Sequence, residues 1–234
     1  MKQNYIIIIV LLIIFFTGLF LSTPAKESEG FTSNTDIGID KVIYINLDKR
    51  KDRKEQIEGE LNKMDITNYE RFPAIPNKNG AIGCSKSHLE VIKLAKQNGY
   101  KNVLVLEDDF QFIVDKDVFY EEMENLSKIP YDACLLAYST PNYYESPYPF
   151  LHRIKDAQTT SAYIVNSHYY DTLINHWEEA LKMFEQTNDD TKYTCDQSWK
   201  LLQEKDVWYC FKNRIGVQRE SYSDIQMGVV NYEI

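Results

Sequence analysis

The first pattern along the chain is an unbroken apolar run over residues 5–21, apart from Thr17 and Gly18, with Lys2 before it and Lys26 after it. A run of this length exceeds the ~7–15 residues of a secretory signal core and reaches the lower limit of about 17 for a spanning helix. Residues 1–25 are therefore expected to be an uncleaved signal anchor, with the rest of the chain lumenal or extracytoplasmic. Cleavage after Ala25 is the alternative, and the two flanking lysines nearly balance under the positive-inside rule. Residues 26–40 are polar, contain Ser, Thr and Gly, and show no period, which marks a linker to a domain spanning 41–234.

Within 41–234 the pattern switches repeatedly between short apolar runs and helical spacing. Strands are expected at 42–47, 103–106, 131–138, 161–165 and 207–211, and helices at 48–63, 88–97, 115–126, 168–184 and from Thr194 onward. Ser87 followed by Glu90 has the form of a capping box for the helix at 88, and Asn98-Gly99 is its stop signal. Strands alternating with helices predict an α/β domain with a mostly parallel central sheet flanked by helices.

Composition narrows this reading. At 234 residues, 44% hydrophobic and 13% aromatic, the chain can bury a full core. A net charge of -9 excludes a general nucleic-acid binder, whose affinity comes from cations neutralising phosphates. The four cysteines, Cys84, Cys134, Cys195 and Cys210, allow three pairings in an oxidising compartment, and none shows the close paired spacing of a zinc site.

The chemistry-bearing feature is the apolar run from Val103 that ends in Glu107, Asp108 and Asp109. Carboxylates at the carboxyl end of a central strand stand where open α/β sheets place ligands. Their mutual repulsion is relieved by solvent, a shared proton or a hard dication such as Mg2+ or Mn2+. The same trio also suits an ordinary acidic loop. Residues 48–54 put five cations at the start of an expected helix, where the macrodipole disfavours each by about 0.3–1 kcal/mol. A bound anion held by Arg50 or Arg53 would remove that penalty, and a solvated helix face is the plain alternative. His88 and Asp196 each fall near an expected helix start, where a structural or capping role competes with a catalytic one. No glycine-rich dinucleotide fingerprint or phosphate loop is present, which weakens both of those readings.

Taken in order, Val42-Ile43-Tyr44-Ile45-Asn46-Leu47-Asp48-Lys49-Arg50-Lys51-Asp52-Arg53, Gly83-Cys84-Ser85-Lys86-Ser87-His88-Leu89, Leu106-Glu107-Asp108-Asp109, Ala162-Tyr163-Ile164-Val165, Asp196-Gln197 and Ser223-Asp224-Ile225 resemble the motif blocks of glycosyltransferase family 25. That family contains lipooligosaccharide and collagen galactosyltransferases. The resemblance implies a GT-A-like, Rossmann-like fold and inverting transfer of a hexose, galactose or glucose, from a UDP-sugar donor. The acceptor it implies is a glycan, glycolipid or hydroxylated protein, and the cofactor Mn2+ (or Mg2+). It makes Asp109 the principal metal ligand, with Glu107 and Asp224. It assigns donor contacts to Asn46, Leu47, Asp48, Arg50, Arg53, Ser87, Glu107 and Asp108, and base catalysis to Asp196 first and His88 second. No histidine follows His176, so the remaining protein ligand to such a metal is open. Two rivals stand beside this reading: a metal-dependent phosphohydrolase, and a membrane-tethered nucleotide-sugar or glycan-binding module without turnover.

Overall fold

The computed structural model describes residues 38–223 and 228–230. The expected anchor, most of the expected linker and Asp224 lie outside the described residues. The described residues belong to one compact unit. No helix among the described residues is long and apolar enough to cross a membrane.

In chain order the first half comprises β1 (Lys41–Asn46), α1 (Lys51–Lys63), β2 (Tyr69–Pro73), α2 (Gly80–Gln97), β3 (Asn102–Glu107), β4 (Phe110–Phe112) and α3 (Lys116–Ser127). The second half comprises β5 (Ala133–Ser139), β6 (Leu151–Arg153), β7 (Gln158–Asn166), α4 (Tyr170–Thr187), three one-turn helices α5 (Asp190–Tyr193), α6 (Cys195–Ser198) and α7 (Lys200–Gln203), β8 (Trp208–Phe211), β9 (Gly216–Gln218), β10 (Ser221–Ser223) and β11 (Gly228–Val230). Seven strands form one sheet in the order β2-β1-β3-β7-β5-β8-β6, and β4-β9 and β10-β11 form separate two-stranded ribbons.

Period-2 alternation with both faces covered explains why the central strands read as continuous apolar runs. Val42, Tyr44, Leu104 and Leu106 face one core with Ile57 and Leu61 of α1 and Phe119 and Met123 of α3. Ile43, Ile45, Val103 and Val105 face the other, against Leu89 and Ile92 of α2 and Leu173 and Trp177 of α4. The result is a helix–sheet–helix sandwich.

The sheet is mixed rather than mostly parallel. β1 pairs in parallel with β2 and β3, and β5 with β8, but β7 runs antiparallel to both β3 and β5, and β6 antiparallel to β8. Apolar content reports burial and carries no strand direction, so the inversion of β7 has no signature in its residues. It matters for the site, because the beginning of β7 lies beside the carboxyl end of β3.

Two helix starts also differ from expectation. α1 begins at Lys51 with Arg50 at its N-cap, so Asp48 and Lys49 belong to the preceding turn. α2 begins at Gly80, a full two turns before 88. Asn79 is its cap, with Oδ1 accepting from the backbone N–H groups of Ala81 (3.1 Å) and Ile82 (3.4 Å). Ser87 is therefore no cap; its hydroxyl donates to the Gly83 carbonyl one turn back (2.7 Å) and accepts from the Ile75 N–H (2.8 Å). Glu90 pairs with Lys93 instead. Gly83 is required within this helix, since a Cβ there would stand 2.6 Å from the Ile75 carbonyl oxygen.

Candidate active site

β1 and β3 are parallel neighbours, so their carboxyl ends deliver Asn46 and the Glu107-Asp108-Asp109 trio to one place. The trio is not an acidic loop in water. Asp108 and Asp109 are only 7% and 4% exposed, and all three carboxylates line a cavity of about 240 Å³. Each has a distinct environment.

Asp108 is fully engaged. One oxygen accepts from Asn46 Nδ2 (2.7 Å) and the other from Arg53 Nη1 (2.9 Å). Asn46 in turn donates to the Arg50 carbonyl (2.9 Å) and accepts from Arg71 Nε (3.0 Å). Burial raises the Asp108 pKa, against the pull of Arg53 and Asn46. Asp108 thus acts as a post that holds β1, α1 and β3 together at the mouth of the cavity.

Asp109 is half satisfied. Its Oδ2 faces Arg53 Nη1 (2.9 Å) and accepts from Gln218 Nε2 (3.2 Å), while Oδ1 is buried with no hydrogen-bond partner among the described residues. Burial first, then the Glu107 charge, push its pKa up to about 7. A buried carboxylate oxygen left bare is costly unless an ion or proton completes it. The residues present therefore fit a hard dication, which would be held by Asp109 and Glu107. Gln218 reaches Asp109 because β9 pairs with β4, and the Arg219 N–H donates to the Asp109 carbonyl (2.7 Å).

Glu107 accepts from Thr160 Oγ1 (2.6 Å) and faces His88 Nε2 (3.3 Å). Burial opposes its charge, but the His88 and Thr160 bonds hold its pKa below the ordinary value. The His88 ring is fully buried, with Nδ1 at 2.9 Å from the Tyr163 hydroxyl. Burial works against its charge too, yet Cys195 and Glu107 outweigh it and raise the ring's pKa. This arrangement keeps a proton between His88 and Glu107, which suits a ring that orients Glu107 more than one that takes a proton from substrate.

Asp196, at the start of α6, lines a second cavity of about 470 Å³ that adjoins the first through shared walls at Cys84, Glu107 and Gln218. Its carboxylate accepts from Thr194 Oγ1 (2.8 Å) and from the Thr159 N–H (3.2 Å). Thr159 has φ 88°, a conformation that β-branched residues rarely adopt. It sits where the β5–β7 register slips between Ala137 and Ser139. Irregularities of this kind re-aim side chains next to active sites; here the slip points Thr160 at Glu107 and the Thr159 N–H at Asp196.

Of the remaining expected donor residues, Leu47, Arg50, Arg53 and Ser87 line the first cavity, as do Lys49 and Lys78. Asp48 does not; it is exposed and pairs with Arg71 at 2.5 Å. Arg53 is buried against the acids rather than displayed at a helix start, and Arg50 bonds Asp52 (2.8 and 3.0 Å). Residues that sequence reasoning missed are Arg71, Thr160 and Gln218, and Tyr163 was quoted within a motif block without a role. They come from other strands, and no local spacing links them to the trio.

No family model matches the chain. A protein of Acanthamoeba polyphaga mimivirus described as a glycosyltransferase is 34% identical over 111 residues, covering 38% of this chain and 32% of that protein. A glycosyltransferase 25 family member of Drosophila melanogaster is 26% identical over 115 residues, 37% of this chain and 19% of its own. The chain is thus similar to glycosyltransferases over about a third of its length, and the matches span a third or less of those relatives. Among solved structures, a glycosyltransferase involved in glycosylating the major capsid of PBCV-1 superposes with TM-score 0.49 at 10% identity, over 76% of this chain and 92% of that one. A mannose-1-phosphate geranyltransferase of Thermus thermophilus gives TM-score 0.44 at 8% identity, over 76% and 73%.

Proposed function

We propose that this protein is a metal-dependent inverting glycosyltransferase with a GT-A-like fold, moving a hexose from a UDP-sugar to a glycan, glycolipid or hydroxylated protein. The observation that carries it is the unpartnered, buried Oδ1 of Asp109 in the first cavity, just past the carboxyl end of β3 and near Glu107, whose side chain lines both cavities. The relatives' printed names support a transferase.

In this reading the first cavity takes the donor. Lys49, Arg50 and Lys78 on its wall bring positive charge to a diphosphate in an otherwise acidic chain. Asp109 and Glu107, with Asp224 as a further candidate ligand, would hold a manganese or magnesium ion, which would supply charge stabilisation to a departing nucleoside diphosphate. Asp108, braced by Asn46 and Arg53, keeps the trio's backbone in place. The second cavity takes the acceptor. Asp196, oriented by Thr194 and Thr159, withdraws the proton from the acceptor hydroxyl, and His88 holds Glu107 in position through its shared proton. The run at residues 1–25 tethers the domain to a membrane on the extracytoplasmic side.

The test is release of UDP by the full-length chain across a panel of donor sugars, with and without manganese. Manganese-dependent release with a single preferred UDP-hexose is expected, abolished in Asp109→Asn and lowered about 10²–10⁴-fold in Asp196→Asn. Undiminished turnover in Asp109→Asn overturns the assignment.

A further inference from the structure

Cys84, His88 and Cys195 converge where the two cavities meet. Each can present one ligand atom, and these atoms lie within 4.8 Å of one another. We propose that this trio is a binding site for a thiophilic metal ion, Zn2+ in the first instance, distinct from the hard-cation position at Asp109 and Glu107.

Four observations carry the proposal. Cys84 and His88 are four residues apart in the middle of α2, so they share one face of one helix. Cys195 is delivered from the other side and locked there. Its N–H donates to Ser85 Oγ (3.2 Å), and its carbonyl accepts from Trp177 Nε1 (3.0 Å). Neither thiol is tied up in a disulfide, and the two sulfurs lie close together. The neighbouring Cys84 thiol, helped by the His88 charge, holds the Cys195 thiol below its ordinary pKa against the effect of burial. Finally, the charges of Glu107 and Asp196 both act on the cluster and favour a cation in it.

Two sulfurs and one imidazole nitrogen select zinc over magnesium or manganese, which prefer oxygen. Three protein ligands leave a fourth position for water, and Cys84 lines both cavities, so the site has a path from solvent. Binding displaces the thiol protons and the proton on the ligating ring nitrogen. The His88 ring is held at both nitrogens, by Tyr163 and by Glu107, so the ion must take one of those contacts. The site therefore competes with the His88–Glu107 pair.

The full-length chain, kept reduced, is titrated with Co2+ as a spectroscopic stand-in, then with Zn2+. One equivalent of Co2+ is expected to give tetrahedral d–d bands and a near-ultraviolet sulfur-to-cobalt charge-transfer band, both erased by one equivalent of Zn2+. Cys84→Ser and Cys195→Ser each lose the charge-transfer band while keeping the far-ultraviolet dichroism of the parent. Cys134→Ser keeps the band, and Tyr163→Phe, which alters only the group behind the ring, weakens zinc about 10-fold. The inference is overturned by absence of the band in the parent, by its persistence in both cysteine variants, or by peptide mapping that finds Cys84 joined to Cys195 in the chain as isolated.

Discussion

Arg53 Nη1 stands 2.9 Å from Asp109 Oδ2 and also 2.9 Å from Asp108 Oδ1, so a single guanidinium nitrogen bridges two buried carboxylates. Removing one partner of a buried pair strands the other in a poor solvent for charge. Arg53→Met is therefore expected to destabilise the protein by about 3–5 kcal/mol. Urea unfolding measures it, and Arg53→Met combined with Asp109→Asn should recover part of the loss because one stranded charge is gone.

Asp109 gives the pH dependence its sign. Burial lifts its pKa from 3.8 to about 7 in the folded chain, so between those values the folded state holds a proton that the unfolded state has released. Stability in the presence of a chelator is expected to fall as pH rises from about 4 to 7, with a limiting slope near 1.4 kcal/mol per unit from this group. Asp109→Asn should flatten that part of the profile. An Asp109→Asn profile parallel to the parent's would show that Asp109 is not the group responsible.

Thr159 holds a backbone conformation that costs of order 1–3 kcal/mol for a non-glycine residue. Thr159→Gly relieves that strain and adds back about 0.5–1 kcal/mol of chain entropy cost. The midpoint of thermal unfolding is expected to hold or rise by a few degrees. Transfer activity should fall at the same time, because the threonine N–H that orients Asp196 is no longer confined. A drop in midpoint would count against strain at this residue.

Gly216 packs its α-carbon against Phe110 across the β4–β9 ribbon. An added Cβ would stand 2.2 Å from two ring atoms of Phe110 and 2.7 Å from the Gln111 carbonyl oxygen. Gly216→Ala is expected to cost at least about 1–3 kcal/mol, since the ring is fully buried and has nowhere to retreat. Because the ribbon also carries Gln218 to Asp109, manganese affinity measured by calorimetry should weaken along with stability.

How much of this was legible in the residues differs from element to element. β1 and β3 were, because both faces of each strand are buried and the apolar run is uninterrupted. β2 was not; no residue of Tyr69–Pro73 is buried, each being half-buried or exposed, and the strand lies at the sheet edge, where its sequence resembles a loop. The true start of α2 was hidden because Asn79-Gly80 reads as a turn, while Ser87 and Glu90 imitate a cap two turns into a continuous helix. At the site, the acidic trio and its cation partner Arg53 were visible in the motifs. Thr160, Gln218 and Cys195 were not, because they approach from β7, β9 and α6, whose placement depends on an inverted strand and a two-stranded ribbon that leave no periodic trace.

α2 serves as a party wall: Gly83, Ser87 and His88 face one chamber, Ala81 and Ser85 face the other, and Cys84 opens onto both. Any sideways drift of this helix reshapes the two compartments together, so neither can be retuned through it alone. If the second cavity takes the acceptor as proposed, redesign of acceptor choice belongs on the opposite bank, at Gln158, Thr191 and Gln197, which do not line the first cavity.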